Sequence, residues 1–171
     1  KCGNSNLASI IKANELVNKY GLDAGSTGSM IGLAMECYEK GILTKDNIDG
    51  LGLEWGNYES ILKLIEKIAF RDGFGDVLAE GTKRAAQLIG KNADRYAIHV
   101  KGLDPVTVDP RYQKVHNLRY AVSTRGACHL RIQASILGRN LDLLPFEEAG
   151  KELKWWEDFM SLIDTTGMCK F

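Results

Sequence analysis

Residues Gly21 to Gly41 read GLDAGSTGSMIGLAMECYEKG, and they join the end of one helix, a glycine-rich turn and the start of a second helix without a gap. Gly21 supplies the permissive backbone that a left-handed C-terminal helix cap requires. Asp23 is expected to project from the turn, and Ser26 or Thr27 to begin the second helix. The rest of the chain is interpreted outward from this pair of helices.

The second helix begins with small residues, at Ala24, Gly25, Gly28 and Gly32. Such a face lets another backbone or a flat ligand approach closely, and the N–H groups of a helix start favour an anion or a hydrogen-bond acceptor. Spacing alone nevertheless favours a well-capped helix pair with no ligand, so both interpretations stay open at this point.

Apolar residues recur every three or four positions along most of the chain, which predicts helices joined by short turns. No period-two strands are evident, and the short segment Tyr96–Val100 has no partner strand. The predicted fold class is therefore all-α, an irregular multi-helical bundle. The predicted helices are residues 7–20, 26–40, 58–70 after the cap Asn57, 76–89 with Asp76 as cap, one from Asp109-Pro110 to Arg125-Gly126, 128–137, and a last helix opened by Pro145-Phe146.

The last helix carries an apolar stripe that steps by three and four residues, and Trp155 beside it is expected to face a partner or another domain. The composition changes near Lys101 to Asp109, where prolines keep the backbone irregular. We therefore divide the chain into residues 1–100 and residues 101–171. The stripe consists of Phe146, Ala149, Leu153, Trp156, Met160 and Ile163.

Composition narrows the classes of partner. The 171 residues include 22 basic and 22 acidic side chains, so the formal net charge is zero. No basic run stands out, so there is little electrostatic attraction to nucleic acid or an anionic membrane. No apolar run approaches the roughly 20 residues that span a bilayer, and the first residues, KCGNSNLAS, contain no apolar leader core. The expected location is cytoplasmic.

Four cysteines, Cys2, Cys37, Cys128 and Cys169, are scattered without a CxxC pair. This spacing predicts neither a zinc ribbon nor a disulfide framework. Cys37 is expected to be a small buried hydrophobic residue inside its helix. Cys169 differs because it ends a motif.

That motif occurs twice, as Asn18-Lys19-Tyr20-Gly21-Leu22-Asp23 and as Asp164-Thr165-Thr166-Gly167-Met168-Cys169. An acid or amide, two residues, a glycine, an apolar residue and then an acid or thiol place acceptors on a tight turn. Such acceptors suit the N–H edge of a pyrimidine-like ring. By spacing alone, two coincident helix caps explain the pattern as well.

These motifs and several others, in the same order, resemble the tungsten-containing aldehyde ferredoxin oxidoreductase family over nearly the whole chain. The resemblance implies helical domains, while the family's first domain, which embraces the cofactor, has no counterpart here, so the chain resembles a fragment. The other motifs that carry the resemblance are Asn14–Leu16, Ser26–Gly28, Ala34–Gly41, Asp49–Leu51, Leu53–Asn57, Gly73–Gly81, His99–Gly102, Asp109–Arg111 and Arg125–Arg131.

The resemblance implies an enzyme that oxidises an aldehyde to a carboxylic acid at a bis-pterin tungsten (or molybdenum) centre. Two electrons would then pass singly through a 4Fe-4S cluster to ferredoxin. The family's branches differ in substrate, and some act on aromatic thioesters. The isolated chain is expected to be inactive and free of metal, because a cluster needs four thiolates and only one residue matches a ligand position.

The resemblance also implies roles for individual residues. Cys169 matches the cluster's fourth ligand, His129 a histidine near the metal centre, and Arg131 a basic residue near the cofactor phosphates. A histidine can move a proton at neutral pH and an arginine can bind a phosphate, so both roles are chemically reasonable. The pterin-contact candidates are Asn18, which replaces an acid of the family, with Asp23, Ala24, Asp164 and Met168.

Partners follow from the same resemblance: ferredoxin, the missing N-terminal domain and a homodimer. Lys12 and Glu15 fall where some family members carry a Glu-x-x-His pair for a metal at the dimer interface, and that pair is absent here. Two interpretations from other classes stay open. One is a phosphate-binding module on Ala24–Ser29, which lacks the lysine of a Walker loop, and the other is a non-catalytic helical interaction module.

Overall fold

The computed structural model describes residues 1–106, 114–130 and 143–169. Within those residues the chain forms seven α-helices and no strand, which confirms the predicted all-α class. Two compact units result, residues 1–104 and residues 105–171. The helices are α1 (Leu7–Lys19), α2 (Ala24–Glu39), α3 (Tyr58–Phe70), α4 (Phe74–Ala79), α5 (Thr82–Ile89), α6 (Lys114–Val122) and α7 (Phe146–Thr166), and two 3-10 turns lie at Lys45–Asn47 and Ala93–Tyr96.

The first unit packs α1 to α5 around one apolar core. The middle of α2 lies at its centre, since Ile31, Met35 and Cys37 are almost fully buried. The apolar stripe of α3 faces the same core through Leu64, Ile65 and Ile68. The predicted cap of α3 is confirmed, because the Asn57 side chain accepts the Ser60 N–H at 3.2 Å.

One predicted helix proves to be two. Residues 76–89 were expected to form a single helix capped by Asp76, but α4 begins at Phe74 after Gly73 and α5 begins at Thr82 after Gly81. Gly81 has φ +86, a conformation that glycine adopts readily and other residues rarely do. The chain therefore turns there, and Asp76 lies inside the first turn of α4. Gly90 ends α5 as predicted.

The contact between α3 and α4 depends on the absence of a side chain at Gly75. A Cβ there would overlap the backbone and Cβ of Lys67. The junction is further held by Asp49, whose carboxylate accepts the Phe74 N–H at 2.9 Å and pairs with the Lys67 ammonium at 3.0 Å. Phe74 and Leu78 are thereby brought into the core.

The second unit contains α6 and α7. Ala149, Leu153, Trp156 and Met160 are buried, which confirms most of the predicted stripe, and Ile163 packs against this cluster. Phe146 was wrongly assigned to the stripe, since its side chain is 76% exposed in the first turn of α7. Trp155 is exposed as expected and stacks on Phe159 with ring centroids 5.1 Å apart.

Two other boundaries differ or lie outside the described residues. Helix α6 ends at Val122 rather than at Arg125-Gly126, and residues 128–130 are not helical, although a helix was predicted from Cys128. The predicted helix start at Asp109-Pro110 and the remainder of the 128–137 helix lie outside the described residues. Among the described helices, none is both long enough and apolar enough to cross a bilayer.

Candidate functional site

The turn after α1 has the geometry of a Schellman cap. The Leu22 N–H donates to the Val17 carbonyl at 2.8 Å, and the Gly21 N–H donates to the Asn18 carbonyl at 3.2 Å. Gly21 has φ +68, as its predicted role requires. Only four residues, 20–23, therefore connect α1 to α2, and the last of them, Asp23, lies at the start of α2.

Asp23 is the N-cap of α2, not a residue projecting from a longer turn. Its Oδ1 accepts the Ser26 N–H at 2.6 Å, so α2 begins at Ala24 rather than at Ser26 or Thr27. This bond is the main reason that the pKa of the Asp23 carboxyl is lowered, and the charge of Lys1 adds to it. The exposed carboxylate is thus ionised at neutral pH, which makes it a stronger acceptor for N–H groups than a neutral oxygen.

Asn18 and Ala24 lie on either side of this turn. The Asn18 side chain donates to the Asn14 carbonyl at 2.7 Å, and both Asn18 and Ala24 are exposed. With the side-chain amide N–H bonded inside α1, the Asn18 side-chain oxygen is the group suited to meet a donor. The turn therefore presents an amide and a carboxylate on one short segment.

The glycine face of α2 is covered by Lys1 and Cys2. A Cβ at Gly28 would lie 3.5 Å from the Lys1 Cδ, and a Cβ at Gly32 would lie 3.7 Å from the Lys1 carbonyl oxygen. The Cys2 thiol donates to the Gly28 carbonyl at 3.5 Å. Small residues on a helix face allow either another backbone or a flat ligand to approach closely. In the structure, a peptide backbone lies on this face.

A polar group of side chains surrounds the first turn of α2. The Lys1 ammonium donates to the Gly25 carbonyl at 3.0 Å and to the Ser29 hydroxyl at 2.6 Å. Asp104 lies beside the hydroxyls of Ser26 and Thr82, but its buried Oδ1 and the Thr82 Oγ1 make no well-formed hydrogen bond within the described residues. Burial raises the pKa of the Asp104 carboxyl, while the charge of Lys1 opposes that rise.

The second copy of the motif forms a similar turn at the end of α7. Gly167 has φ +71, and its N–H donates to the Asp164 carbonyl at 3.4 Å, as Gly21 does to Asn18. The hydroxyls of Thr165 and Thr166 donate to the carbonyls three residues earlier, both at 2.7 Å. The two copies of the motif therefore share a left-handed glycine and the hydrogen bond that its N–H donates, and Asp164, Met168 and Cys169 are all exposed.

His129 is exposed in the segment that follows α6. A single histidine in a helical protein is often buried and hydrogen-bonded in the core. His129 is not such a residue, because it is exposed. Cys128, its neighbour, is buried at 3% exposure. Arg131, the predicted phosphate contact, lies outside the described residues.

The cysteines differ in their surroundings. Burial raises the pKa of the Cys37 thiol to about 11 and raises that of Cys2 as well, so both are protonated at neutral pH. Cys128 is also buried, whereas Cys169 is exposed. Across the described residues no three His, Cys, Asp or Glu side chains converge to hold a metal ion. Cys169 is accordingly the cysteine best suited to bind a metal or cluster that other ligands also hold.

Sequence reasoning missed Lys1, Thr82 and Asp104. The glycines of α2 indicated that another part of the chain packs closely against this helix. No periodic pattern in the sequence identifies which residues those are. Asp104 reaches α2 because Val100 and Leu103 bond each other's N–H and carbonyl groups at 3.0 Å, in a turn with positive φ at Lys101 and Gly102. Gly102 suggested a turn, but the sequence did not indicate that this turn would bring Asp104 to α2.

Comparison with known proteins gives a match over the whole chain. The family model described as aldehyde ferredoxin oxidoreductase, domains 2 and 3, matches residues 1–171. Tungsten-containing aldehyde ferredoxin oxidoreductases of Thermococcus kodakarensis and Pyrococcus furiosus are each 40% identical to it over 176 aligned residues. These matches cover 99% of the chain and 29% of each relative, so the chain spans less than a third of their length.

Two further relatives carry other names. An aliphatic sulfonate oxidoreductase, WOR-like subunit, of Pyrococcus furiosus is 38% identical over 128 residues, which cover 70% of the chain and 20% of that protein. The solved active-site complex BamBC of benzoyl coenzyme A reductase, with 1,5-dienoyl-CoA, matches with a TM-score of 0.62 at 28% identity. That match covers 90% of this chain and 25% of the solved chain.

Proposed function

This chain belongs to the aldehyde ferredoxin oxidoreductase family, and from that premise we propose that it is the pterin- and cluster-contacting helical part of a longer oxidoreductase. The observation that carries the proposal is the repeated turn. Asn18–Asp23 and Asp164–Cys169 share a left-handed glycine whose N–H donates to the carbonyl of the motif's first residue. Each turn ends on an exposed carboxylate or thiol.

Asp23 and Asp164, with Asn18, Ala24 and Met168 beside them, contact the two pterins in this proposal. The residues fit such a ligand, because the rim of a pterin carries N–H donors and an ionised carboxylate accepts them. The Ser26 N–H holds the Asp23 Oδ1 at 2.6 Å, which orients the carboxylate before any ligand arrives. Arg131 is proposed to bind a phosphate of the same cofactor.

His129 and Cys169 take the remaining roles. His129 is exposed, and we assign it the transfer of a proton to or from the substrate at neutral pH. Cys169 is proposed as one thiolate of a 4Fe-4S cluster, whose other three ligands would come from outside this chain. When bound, the tungsten or molybdenum centre supplies two-electron oxidation of an aldehyde to a carboxylic acid, and the cluster supplies single-electron transfer to ferredoxin.

The isolated chain is inactive in this account, since it offers one exposed cysteine and only part of the contacts of a large cofactor.

A homodimer is also proposed, through the outer face of α1. Leu7, Ile10 and Ile11 are exposed there at helical spacing. Large apolar side chains grouped on one exposed helix face favour contact with another protein surface rather than with water alone.

A second candidate function is reduction of an aromatic thioester, which the likeness to the benzoyl coenzyme A reductase complex favours. The identity of 28% to that complex is lower than the 40% to the aldehyde enzymes, so aldehyde oxidation is our first choice. Dye reduction by the full-length protein separates the two. Aldehyde-dependent reduction of a viologen supports the first, and dye oxidation that requires an aromatic coenzyme A thioester supports the second.

The cofactor role is tested by metal content. In the full-length protein, produced anaerobically with tungstate, Asp23→Asn and Asp164→Asn should each lower bound tungsten and pterin about tenfold, because each removes a charged hydrogen bond. Asparagine is also a good N-cap, so Asp23→Asn should leave α2 intact. The matched control is Asp158→Asn, since Asp158 pairs with Lys154 on the exposed face of α7 at 2.6 Å. Wild-type tungsten and pterin content in both test variants would contradict the proposal.

A further inference from the structure

Lys1 spans the first turns of α2, next to the residue proposed to contact the pterin. Its ammonium group donates to the Gly25 carbonyl at 3.0 Å and to the Ser29 hydroxyl at 2.6 Å. Gly25 lies two residues after Asp23, and a Cβ at Gly25 would already lie 3.2 Å from the Asp23 Oδ1. The two hydrogen bonds of Lys1 therefore hold the backbone of the first turn of α2, which lies against the Asp23 carboxylate.

The sequence of α2 makes room for this lysine. The Lys1 side chain crosses Gly28, where a Cβ would lie 3.5 Å from its Cδ and 3.9 Å from its Cβ. A larger residue at Gly28 would have to move the aliphatic part of the lysine off the helix. The position of the ammonium group is thus set by packing as well as by its hydrogen bonds.

A second carboxylate stands near the same ammonium group. Asp104 is presented by the tight Val100–Leu103 turn and lies beside the hydroxyls of Ser26 and Thr82, and Thr82 is only 2% exposed. Among the described residues, the charged and titratable groups around the start of α2 include Lys1, Cys2, Asp23, Asp104 and His99. Burial lowers the pKa of Lys1, and the charges of Asp104 and Asp23 oppose that effect.

We propose that Lys1 is a positioning residue for Asp23, and that Asp104 contributes to this role through the attraction of its charge for the Lys1 ammonium. The proposal rests on the cofactor role proposed for Asp23. Without Lys1, the first turn of α2 loses two hydrogen bonds and Asp23 loses a nearby positive charge. Asp23 is then both less well oriented and less readily ionised, and both effects weaken it as an acceptor.

The test measures the Asp23 cap directly by NMR on the labelled 171-residue chain. Lys1→Met should speed amide exchange at Ser26 about threefold to tenfold, since the bonds lost are of ordinary strength, and should raise the pKa of Asp23. Lys1→Arg keeps the charge and should restore the pKa of Asp23 to near the wild-type value. Lys40→Met is the matched control, because Lys40 pairs with Glu36 and Glu39 at the other end of α2 and should leave both readouts unchanged.

The role of Asp104 is tested by a double-mutant cycle. Asp104→Asn should speed Ser26 exchange less than Lys1→Met does, and the double variant should match Lys1→Met alone, because Asp104 acts through Lys1. Additive effects would overturn the role of Asp104. Wild-type Ser26 exchange and Asp23 pKa in Lys1→Met would overturn the whole inference.

These readouts involve no pterin, so the two proposals fail separately. If Lys1→Met alters the Asp23 cap while Asp23→Asn keeps full pterin content in the longer protein, the cofactor role is wrong and the positioning of Asp23 stands. If Asp23→Asn loses pterin while Lys1→Met leaves Ser26 and Asp23 unchanged, the positioning inference alone is wrong.

Discussion

Replacing Gly75 with alanine should lower the free energy of unfolding by about 3 kcal/mol, the upper part of the range for overpacked cores. A Cβ at this position overlaps the backbone of Lys67, which cannot move unless α3 and α4 separate. Separation would expose Phe74 and Leu78, which are now buried. Domains of this kind are stable by only about 5–15 kcal/mol, so valine at the same position should leave much of the protein unfolded. Urea denaturation followed by circular dichroism measures the loss.

Gly150→Ala is the matched control for this prediction. Gly150 lies within α7, and a Cβ built there meets, within 4 Å, no atom of the described residues beyond its chain neighbours and the backbone of its own helix. Alanine should therefore stabilise the helix, by about 0.5–1 kcal/mol, because it removes backbone freedom from the unfolded chain. Equal and small effects at the two glycines would show that the close approach of α3 and α4 is not a constraint.

Cys169→Ala should remove the iron–sulfur cluster from the full-length protein, with loss of its absorbance near 400 nm and of electron transfer to ferredoxin. The expected effect is large because three thiolates leave one iron of a four-iron cluster without its protein ligand. Cys169 is exposed at the end of the second turn motif, where a partner ligand set can reach it. Iron content and the electron paramagnetic resonance spectrum of the reduced protein measure the result.

Cys37→Ala is the control of the same residue type. Cys37 is buried in α2, and burial raises the pKa of its thiol to about 11, so it carries almost no thiolate at neutral pH. The cluster content per folded molecule should match that of the wild type. Retention of a full cluster in Cys169→Ala would exclude Cys169 as a ligand.

Local patterns predicted most of the fold. Gly21 and Asn57 were identified as caps because a left-handed glycine and a short side-chain acceptor have direct backbone consequences. The division between α4 and α5 was missed because Gly81 breaks a run whose apolar spacing continues on both sides. Phe146 was misassigned for a similar reason, since its spacing matches the stripe of α7 although it lies in the first turn, where the side chain is 76% exposed.

The candidate site was less accessible to sequence reasoning. The two turn motifs were found because each lies within six consecutive residues, and the resemblance to the family supplied their meaning. The polar group around Lys1 and Asp104 was missed, because 103 positions separate these residues and only tertiary packing brings both to α2. The roles of His129, Asp164 and Arg131 stay proposals.

The central claim is that the two turn motifs hold the pterins through their carboxylates. The most direct measurement is a crystal structure of the longer protein with its cofactor bound. The account predicts that carboxylate oxygens of both Asp23 and Asp164 lie within about 3.2 Å of pterin nitrogen atoms. A bound cofactor that neither carboxylate touches would contradict it.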